Sequence, residues 1–127
     1  MIVVDASAAL SALLNDGPAR RSLAREQLHA PHLIDSEVAS GLRRRVAGQQ
    51  LSAAAGWAAL NVLQRLGMTR YPTFPVLERI WGLRQNLSAY DAAYVALAEE
   101  LGCTLLTADA RLSRASGIRC PITVVPR

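Results

Sequence analysis

The chain has 127 residues, 51% of them apolar, with mean hydropathy +0.17 and a formal net charge of +4. That balance excludes a disordered chain, and no apolar run approaches the ~18 residues of a membrane span, so one compact domain over residues 1–127 and no membrane contact are expected. Lysine is absent and all 14 cations are arginine, whose planar forks match phosphate and carboxylate and favour nucleic acid or an acidic partner.

Ile2-Val3-Val4 predicts a short strand that ends in Asp5, and the small and apolar residues Ala6 to Leu14 predict a helix directly after it. With no basic start and no long apolar region, this opening reads as a buried strand and not an export signal, which predicts a cytoplasmic protein. Asn15-Asp16-Gly17-Pro18 is a turn, and Ala19 to Leu28 resumes a helical pattern with Arg20, Arg21 and Arg25 on its polar side. Ala30-Pro31 marks a brief extended element. Leu33 to Ala47 predicts a helix with Arg43, Arg44 and Arg45 near its end, closed by Gly48. Ser52 caps a helix that runs to Leu66, where Gly67 stops it before an extended piece, Met68 to Tyr71.

Pro72 and Pro75 punctuate the next join, Val76 to Leu83 predicts a short helix, and Ser88 opens another that ends at Leu101 and Gly102. Cys103 to Thr107 is a clear strand, Ala110 to Ala115 a short helix, and Ile122 to Val125 a final strand. Alternation of strands and helices predicts an α/β domain: a mainly parallel sheet of about five short strands with helices on both faces. Cys103 and Cys120 lack any metal-ligand spacing and read as reduced thiols, and Pro31 between His29 and His32 breaks the helical geometry that would align two ligands. Trp57, Trp81, Tyr90 and Tyr94 read as core or interface aromatics ahead of base-stacking platforms.

Of ten acids, Asp5, Glu37, Asp91 and Asp109 each interrupt an apolar or small-residue stretch. Asp5 and Asp109 stand at or just past strand ends, so parallel strands would put both on one edge of the sheet, where ligands bind in such folds. Glu37 borders the apolar face of its helix, with Gly41 one turn on leaving space beside it. Asp91 lies on the stripe of Tyr94, Val95 and Ala98, although Ser88-x-x-Asp91 also fits a capping box. Asp35 is a weaker alternative. Two carboxylates ~5 Å apart repel by about 3 kcal/mol at an effective dielectric near 20, so a cluster of them calls for a cation. Oxygen ligands without nearby His or Cys suit Mg²⁺, or Mn²⁺, over zinc, and such an ion serves phosphate chemistry.

Familiar phosphate enzymes fail on particular residues. Haloacid-dehalogenase-type phosphatases need Asp-x-Asp and a lysine, whereas the first strand here ends Asp5-Ala6-Ser7; receiver domains and P-loops also need lysine, and no Gly-x-Gly-x-x-Gly occurs. Four segments in order carry another likeness: Ile2-Val3-Val4-Asp5-Ala6-Ser7-Ala8; Ala30-Pro31 leading to Glu37 and Leu42-Arg43-Arg44; Ser88-Ala89-Tyr90-Asp91-Ala92-Ala93-Tyr94-Val95-Ala96-Leu97-Ala98; and Leu106-Thr107-Ala108-Asp109-Ala110-Arg111-Leu112. In this set the chain resembles, over essentially its whole length, the PIN-domain family and specifically its VapC-type toxins.

The resemblance implies a three-layer α/β/α PIN domain and the toxin of a type II toxin–antitoxin pair: a metal-dependent endoribonuclease, usually dimeric, neutralised by a VapB-like antitoxin. The family's acids fall on Asp5, Glu37, Asp91 and Asp109, and its strand-end hydroxyls on Ser7 and Thr107. In that reading Asp5, Asp91 and Asp109 hold Mg²⁺ or Mn²⁺ and Glu37 completes the site or orients the attacking water, leaving a 5′-phosphate and a 3′-hydroxyl. Arg43 and Arg44 are candidates for RNA phosphate contact. Some relatives carry a further acid two residues after the last of the four, where this chain has Arg111, which bears on binding of a second metal. The rival readings are a catalytically weak PIN-like module that binds RNA or protein, and a nuclease acting on DNA.

Overall fold

A computed structural model describes all residues, Met1–Arg127. In chain order the elements are β1 (Ile2–Val4), α1 (Ala6–Leu14), α2 (Pro18–Arg25), β2 (Leu28–Pro31), α3 (Leu33–Ala47), α4 (Ala53–Arg65), β3 (Met68–Tyr71), α5 (Leu77–Gly82), α6 (Ala89–Leu101), β4 (Thr104–Thr107) and β5 (Ile122–Val124), with 3₁₀ turns at Phe74–Val76 and Ala110–Arg114. The five strands form one all-parallel sheet in the order β3-β2-β1-β4-β5. Val3 pairs with His29 on one side and Leu105 on the other, so the apolar Val3, Val4, Leu105 and Leu106 sit at the sheet's centre and are buried. Strands buried on both faces read as short apolar runs, as these do.

From β1 the chain moves outward through β2 to β3, then crosses back to add β4 and β5 on the other side of β1. Right-handed crossovers in opposite directions put their helices on opposite faces. Accordingly α1 packs against α2, α3 and α4, while α6 packs against α5 and lies along β1, β2 and β4. Every residue from Ala92 to Ala98 of α6 is buried, the mark of a central helix. Strand order reverses between β1 and β4, so a crevice opens at their carboxyl ends; that is where Asp5 and Asp109 stand.

The expected boundaries hold for α1 and α3 and to within a residue for α4, α6, β4 and β5, and three others differ further. Leu28, expected at the end of a helix, opens β2 instead and pairs with Ile2 and Met68, because tertiary pairing outweighs a helical pattern that ends at Arg25. The helix expected at Ala110–Ala115 is a 3₁₀ turn over Ala110–Arg114, and the one expected from Val76 starts as a 3₁₀ turn at Phe74. Gly102 ends α6 in the left-handed region at φ 65°, a backbone geometry that glycine adopts without a Cβ clash. Gly41 proves to be a contact and not a gap: a Cβ there would stand 2.5 Å from Leu10 Cδ1, so its bareness lets α1 and α3 approach. No helix is long and apolar enough to cross a membrane.

Candidate active site

Asp5 leaves β1 and caps α1, and it is buried at 5% exposure. Its Oδ1 accepts from Ala8 N at 2.9 Å and from Ser7 Oγ at 2.7 Å, and its Oδ2 accepts from Thr107 Oγ1 at 2.5 Å. The same hydroxyls tie the two strand ends together: Ser7 Oγ accepts from Ala108 N at 2.9 Å, and Thr107 Oγ1 accepts from Asp109 N at 3.0 Å. Thr107, fully buried, is therefore the bridge between the first and last acids. Three donors occupy three of the roughly four lone-pair positions of an ionised carboxylate, which leaves Asp5 about one for a further partner.

Glu37 projects from α3 and its Oε1 accepts from Tyr94 Oη of α6 at 2.6 Å. Asp91 stands in the first turn of α6, whose cap is Ser88 Oγ accepting from Asp91 N at 3.1 Å. Asp109 opens the 3₁₀ turn and is gripped by Arg111: the backbone N and Nε bond to Oδ1 at 3.0 Å each, and Nη2 bonds to Oδ2 at 2.6 Å.

Thr107 joins Asp5 to Asp109, Asp91 and Asp109 line one cleft, and Tyr94, one turn after Asp91, holds Glu37, so the four acids lie toward one edge of the sheet. Burial holds the Asp5 carboxyl above its ordinary range; hydrogen bonds from Thr107, Ala8 and Ser7 oppose this, and the charge of Asp91 adds to it. Glu37 is raised first by burial and then, against the Tyr94 hydrogen bond, by Asp91 and Asp5. Asp91 is raised by burial and by Asp109, with Arg111 pulling the other way. Asp109 alone is lowered, by its hydrogen bond from Arg111.

Two clefts flank this edge. One of about 320 Å³ is lined by Ser7, Glu37, Ser40, Arg44, Arg45 and Arg127. The other, of about 500 Å³, is lined by Ser88, Asp91, Asp109 and Arg111. The first carries three arginines beside Glu37 and the second holds Asp91 and Asp109, so together they offer a polyanion positive charge next to carboxylates.

A hard divalent ion fits this donor set, which is made of carboxylate and hydroxyl oxygens with no sulfur or imidazole. As placed, no three acidic, histidine or cysteine side chains form a cluster able to grip an ion. Two of the acids have protein partners instead: Tyr94 holds Glu37 and Arg111 holds Asp109.

Several expected residues find other places. Asp35 makes a two-pronged ion pair with Arg70 of β3, at 2.7 and 2.8 Å, and lines a separate hollow with Trp57, so it does not belong to the site. Arg44 lines the basic cleft and bonds Ser40 Oγ at 3.1 Å, whereas Arg43 is exposed and absent from it. Arg45 takes the place expected for Arg43, because residues 37, 41, 44 and 45 share a face at helical spacing. Trp57, Trp81 and Tyr90 are exposed on the surface, at 59%, 68% and 61%, while Tyr94 is core.

Two contributors were not legible as such. Tyr94 packs in the core yet its hydroxyl positions Glu37; its place one turn after Asp91 was the available signal. Arg127 reaches the basic cleft only through the path of the chain after β5, where Pro126 O accepts from Ser11 Oγ at 2.7 Å, and no local pattern announces that.

A helix–strand crevice with this constellation defines a class, and comparison with known proteins agrees. The family model described as "PIN domain" matches residues 2–118. The chain is 64% identical over 127 residues to Ribonuclease VapC9 of Mycobacterium tuberculosis, covering the whole of both. Among solved structures, Mycobacterium tuberculosis VapC20, described as a Sarcin-Ricin loop cleaving toxin, superposes with a TM-score of 0.70 at 20% identity, over 94% of this chain and 97% of that one. VapBC2 from Rickettsia felis, bound to a DNA fragment from its promoter, gives 0.68 at 14% identity, over 98% and 99%. These two share the fold. The chain belongs to the PIN-domain family, within its VapC group.

Proposed function

We propose that the chain is the toxin of a type II toxin–antitoxin pair, a divalent-metal-dependent endoribonuclease that works as a single PIN unit over residues 1–127 in the cytoplasm. The observation that carries this reading is the junction of β1 and β4, where Ser7 and Thr107 bind Asp5 and one another's strand ends while Asp91 and Glu37 face the same edge. Full-length identity of 64% to a ribonuclease of the VapC group supports it.

Asp5, Asp91 and Asp109 would hold Mg²⁺ or Mn²⁺, directly or through water, with Ser7 and Thr107 fixing the Asp5 carboxylate in place. The bound ion would supply positive charge at the phosphate and a water of lowered pKa. Glu37 keeps Oε2 free of any protein partner while Tyr94 holds Oε1, so it can orient and deprotonate the attacking water, and its raised pKa suits a base. Arg44 and Arg45 line the adjoining cleft and would contact backbone phosphates of the RNA strand. In-line attack then breaks the P–O3′ bond and leaves a 5′-phosphate and a 3′-hydroxyl.

A VapB-like antitoxin is the partner that this reading requires, and a second copy of the chain is the other. Phe74 and Trp81, 80% and 68% exposed, give the 3₁₀ turn and α5 an apolar surface of the kind that dimers cover.

Purified, antitoxin-free protein should cut RNA in Mg²⁺ or Mn²⁺ and stop in EDTA. A protein that binds RNA with nanomolar to micromolar affinity and cuts none in either ion would establish the binding-module reading instead, and equal cutting of single-stranded DNA would remove the assignment to RNA.

Tyr94→Phe removes one hydroxyl and leaves the ring packed. The expected result is a kcat lower by about tenfold, or ~1.4 kcal/mol, with KM for RNA little changed, since Glu37 loses its only protein hydrogen bond. Steady-state kinetics with a melting curve check this; an unchanged kcat would leave Glu37 without the role given to it.

A further inference from the structure

We propose that Arg111 is the second cation of this site: its guanidinium takes the place beside Asp109 that a second metal ion would fill, leaving a one-metal centre in which arginine meets the RNA phosphate. The inference rests on the ribonuclease reading and extends it to ion count and substrate contact.

The contact is more than a passing surface pair. Arg111 Nε reaches both carboxylate oxygens, at 3.0 and 3.2 Å, Nη2 reaches Oδ2 at 2.6 Å, and the backbone N of the same residue bonds Oδ1 at 3.0 Å. An exposed pair of this kind adds little to stability, typically ~0–1 kcal/mol, so folding does not explain its four contacts. The side chain of Asp109 is 14% exposed and that of Arg111 is 79% exposed, which places the guanidinium on the solvent side of the carboxylate, at the open cleft shared with Asp91.

Lone pairs limit what Asp109 can still do. Oδ1 already accepts from N and Nε of Arg111, and Oδ2 from Nη2 with a share of Nε. A carboxylate with about four acceptor positions thus retains one at most, enough to bind one ion through one oxygen but not to bridge two ions.

Donor bookkeeping on the arginine points the other way, toward substrate. Only the Nε–H and one Nη2–H face Asp109, so three of the five N–H groups of a guanidinium remain for a phosphate oxygen. Arg111 also lines the same cleft as Asp91. It therefore sets a positive charge beside both acids of this cleft and offers a fork to a phosphate drawn into it. A two-metal nuclease places its second ion to meet charge on the phosphate oxygens, and a fixed arginine supplies the same sign of charge without the ion.

The test counts ions without RNA and then measures cleavage. Mn²⁺ titrated into the purified chain, followed by calorimetry and by the loss of the free-ion electron paramagnetic resonance signal, should give one ion per chain for the wild type. Arg111→Ala should keep one ion at equal or tighter affinity, while its kcat falls roughly 100-fold and its KM for RNA rises. Arg111→Lys should recover only part of that rate, since an ammonium lacks the fork. Arg111→Glu should bind two ions. Two ions on the wild type, loss of the ion from Arg111→Ala, one ion only on Arg111→Glu, or wild-type kcat in Arg111→Ala would each overturn the proposal. Because the ion count needs no cleavage, a wild type that binds one ion and cuts no RNA defeats the ribonuclease reading, while the Arg111→Glu count still decides whether arginine excludes the second ion.

Discussion

Asp5→Asn should lower RNA cleavage at saturating substrate on the order of 10³-fold, about 4 kcal/mol of transition-state stabilisation, while leaving the metal-free fold as stable as before or more so. The two effects have opposite signs for one reason. Asp5 is buried beside Asp91 and Glu37, and its raised pKa means that its charge works against the folded state when no ion is present. Asparagine keeps an oxygen for Ala8 N and Ser7 Oγ and caps helices as well as aspartate does, and its amide can donate to the Thr107 hydroxyl, which rotates to accept. What it loses is the negative charge that attracts a divalent ion. Asp5→Ala would behave differently, since it also strips the cap from α1 at a cost of ~1 kcal/mol and removes the acceptor of the buried Thr107 hydroxyl. Kinetics and thermal melts of both variants separate the roles. A fall in activity that tracks a fall in melting temperature in Asp5→Asn would show a structural residue only.

Removal of the ion should abolish cleavage and expose a pH-dependent weakness. Asp5, Glu37 and Asp91 all have raised pKa values, chiefly from burial, so between the ordinary carboxylate range and those raised values the folded state binds more protons than the unfolded one. Their contribution to stability is fully present below the ordinary carboxylate pKa of about 4 and is lost as pH rises through the folded values. Asp109 runs the other way: Arg111 depresses it, so its small contribution is present above that range and lost as pH falls. Glu99 does likewise, its burial outweighed by hydrogen bonds from Arg79 and the Arg119 amide. The metal-free chain should therefore be most stable in mildly acidic solution and weaken toward neutrality. Saturating Mg²⁺, at about 100 times its Kd, adds ~2.7 kcal/mol, which for a domain of this size is roughly 8 °C in Tm near pH 7.5. Near pH 5 protons compete for the same oxygens and the shift should shrink to a small part of that. Melting curves with Mg²⁺ and with EDTA at the two pH values check this; equal shifts at both, or none near neutrality, would contradict it.

The sheet was readable because its central strands carry apolar runs that no solvent-facing element needs. Ile2 to Val4 and Cys103 to Thr107 were expected as strands of one mainly parallel sheet, and the structure pairs Val3 with Leu105. The placement of two acids was readable for a related reason: a carboxylate that follows a buried strand lands at the sheet's edge, where Asp5 and Asp109 stand and also cap the turns that follow. What the sequence hid depends on contacts distant in the chain. Leu28 suits a helix end as well as a strand, and only its pairing with Ile2 and Met68 decides between them. Asp35 and Glu37 lie two residues apart on α3; which of them faces the crevice follows from Arg70 on β3 claiming Asp35 and Tyr94 on α6 claiming Glu37. The choice between Arg43 and Arg45 turns on helical phase relative to α1, where Leu10 meets Gly41. Arg111 was legible as a departure from the family pattern, and its grip on both oxygens of Asp109 was not, because an arginine side chain has too many rotamers for its sequence position to fix its partner.

The most direct measurement is an anomalous-scattering map from crystals of the wild-type chain grown with Mn²⁺. One peak should stand at the carboxyl ends of β1 and β4, roughly 2.1 Å from its protein oxygens or one water further out, with Asp5, Asp91 and Asp109 as its holders. Peaks found only elsewhere, or bare density at that crevice in crystals that bind Mn²⁺ at other carboxylates, would contradict the assignment of these acids to a metal centre.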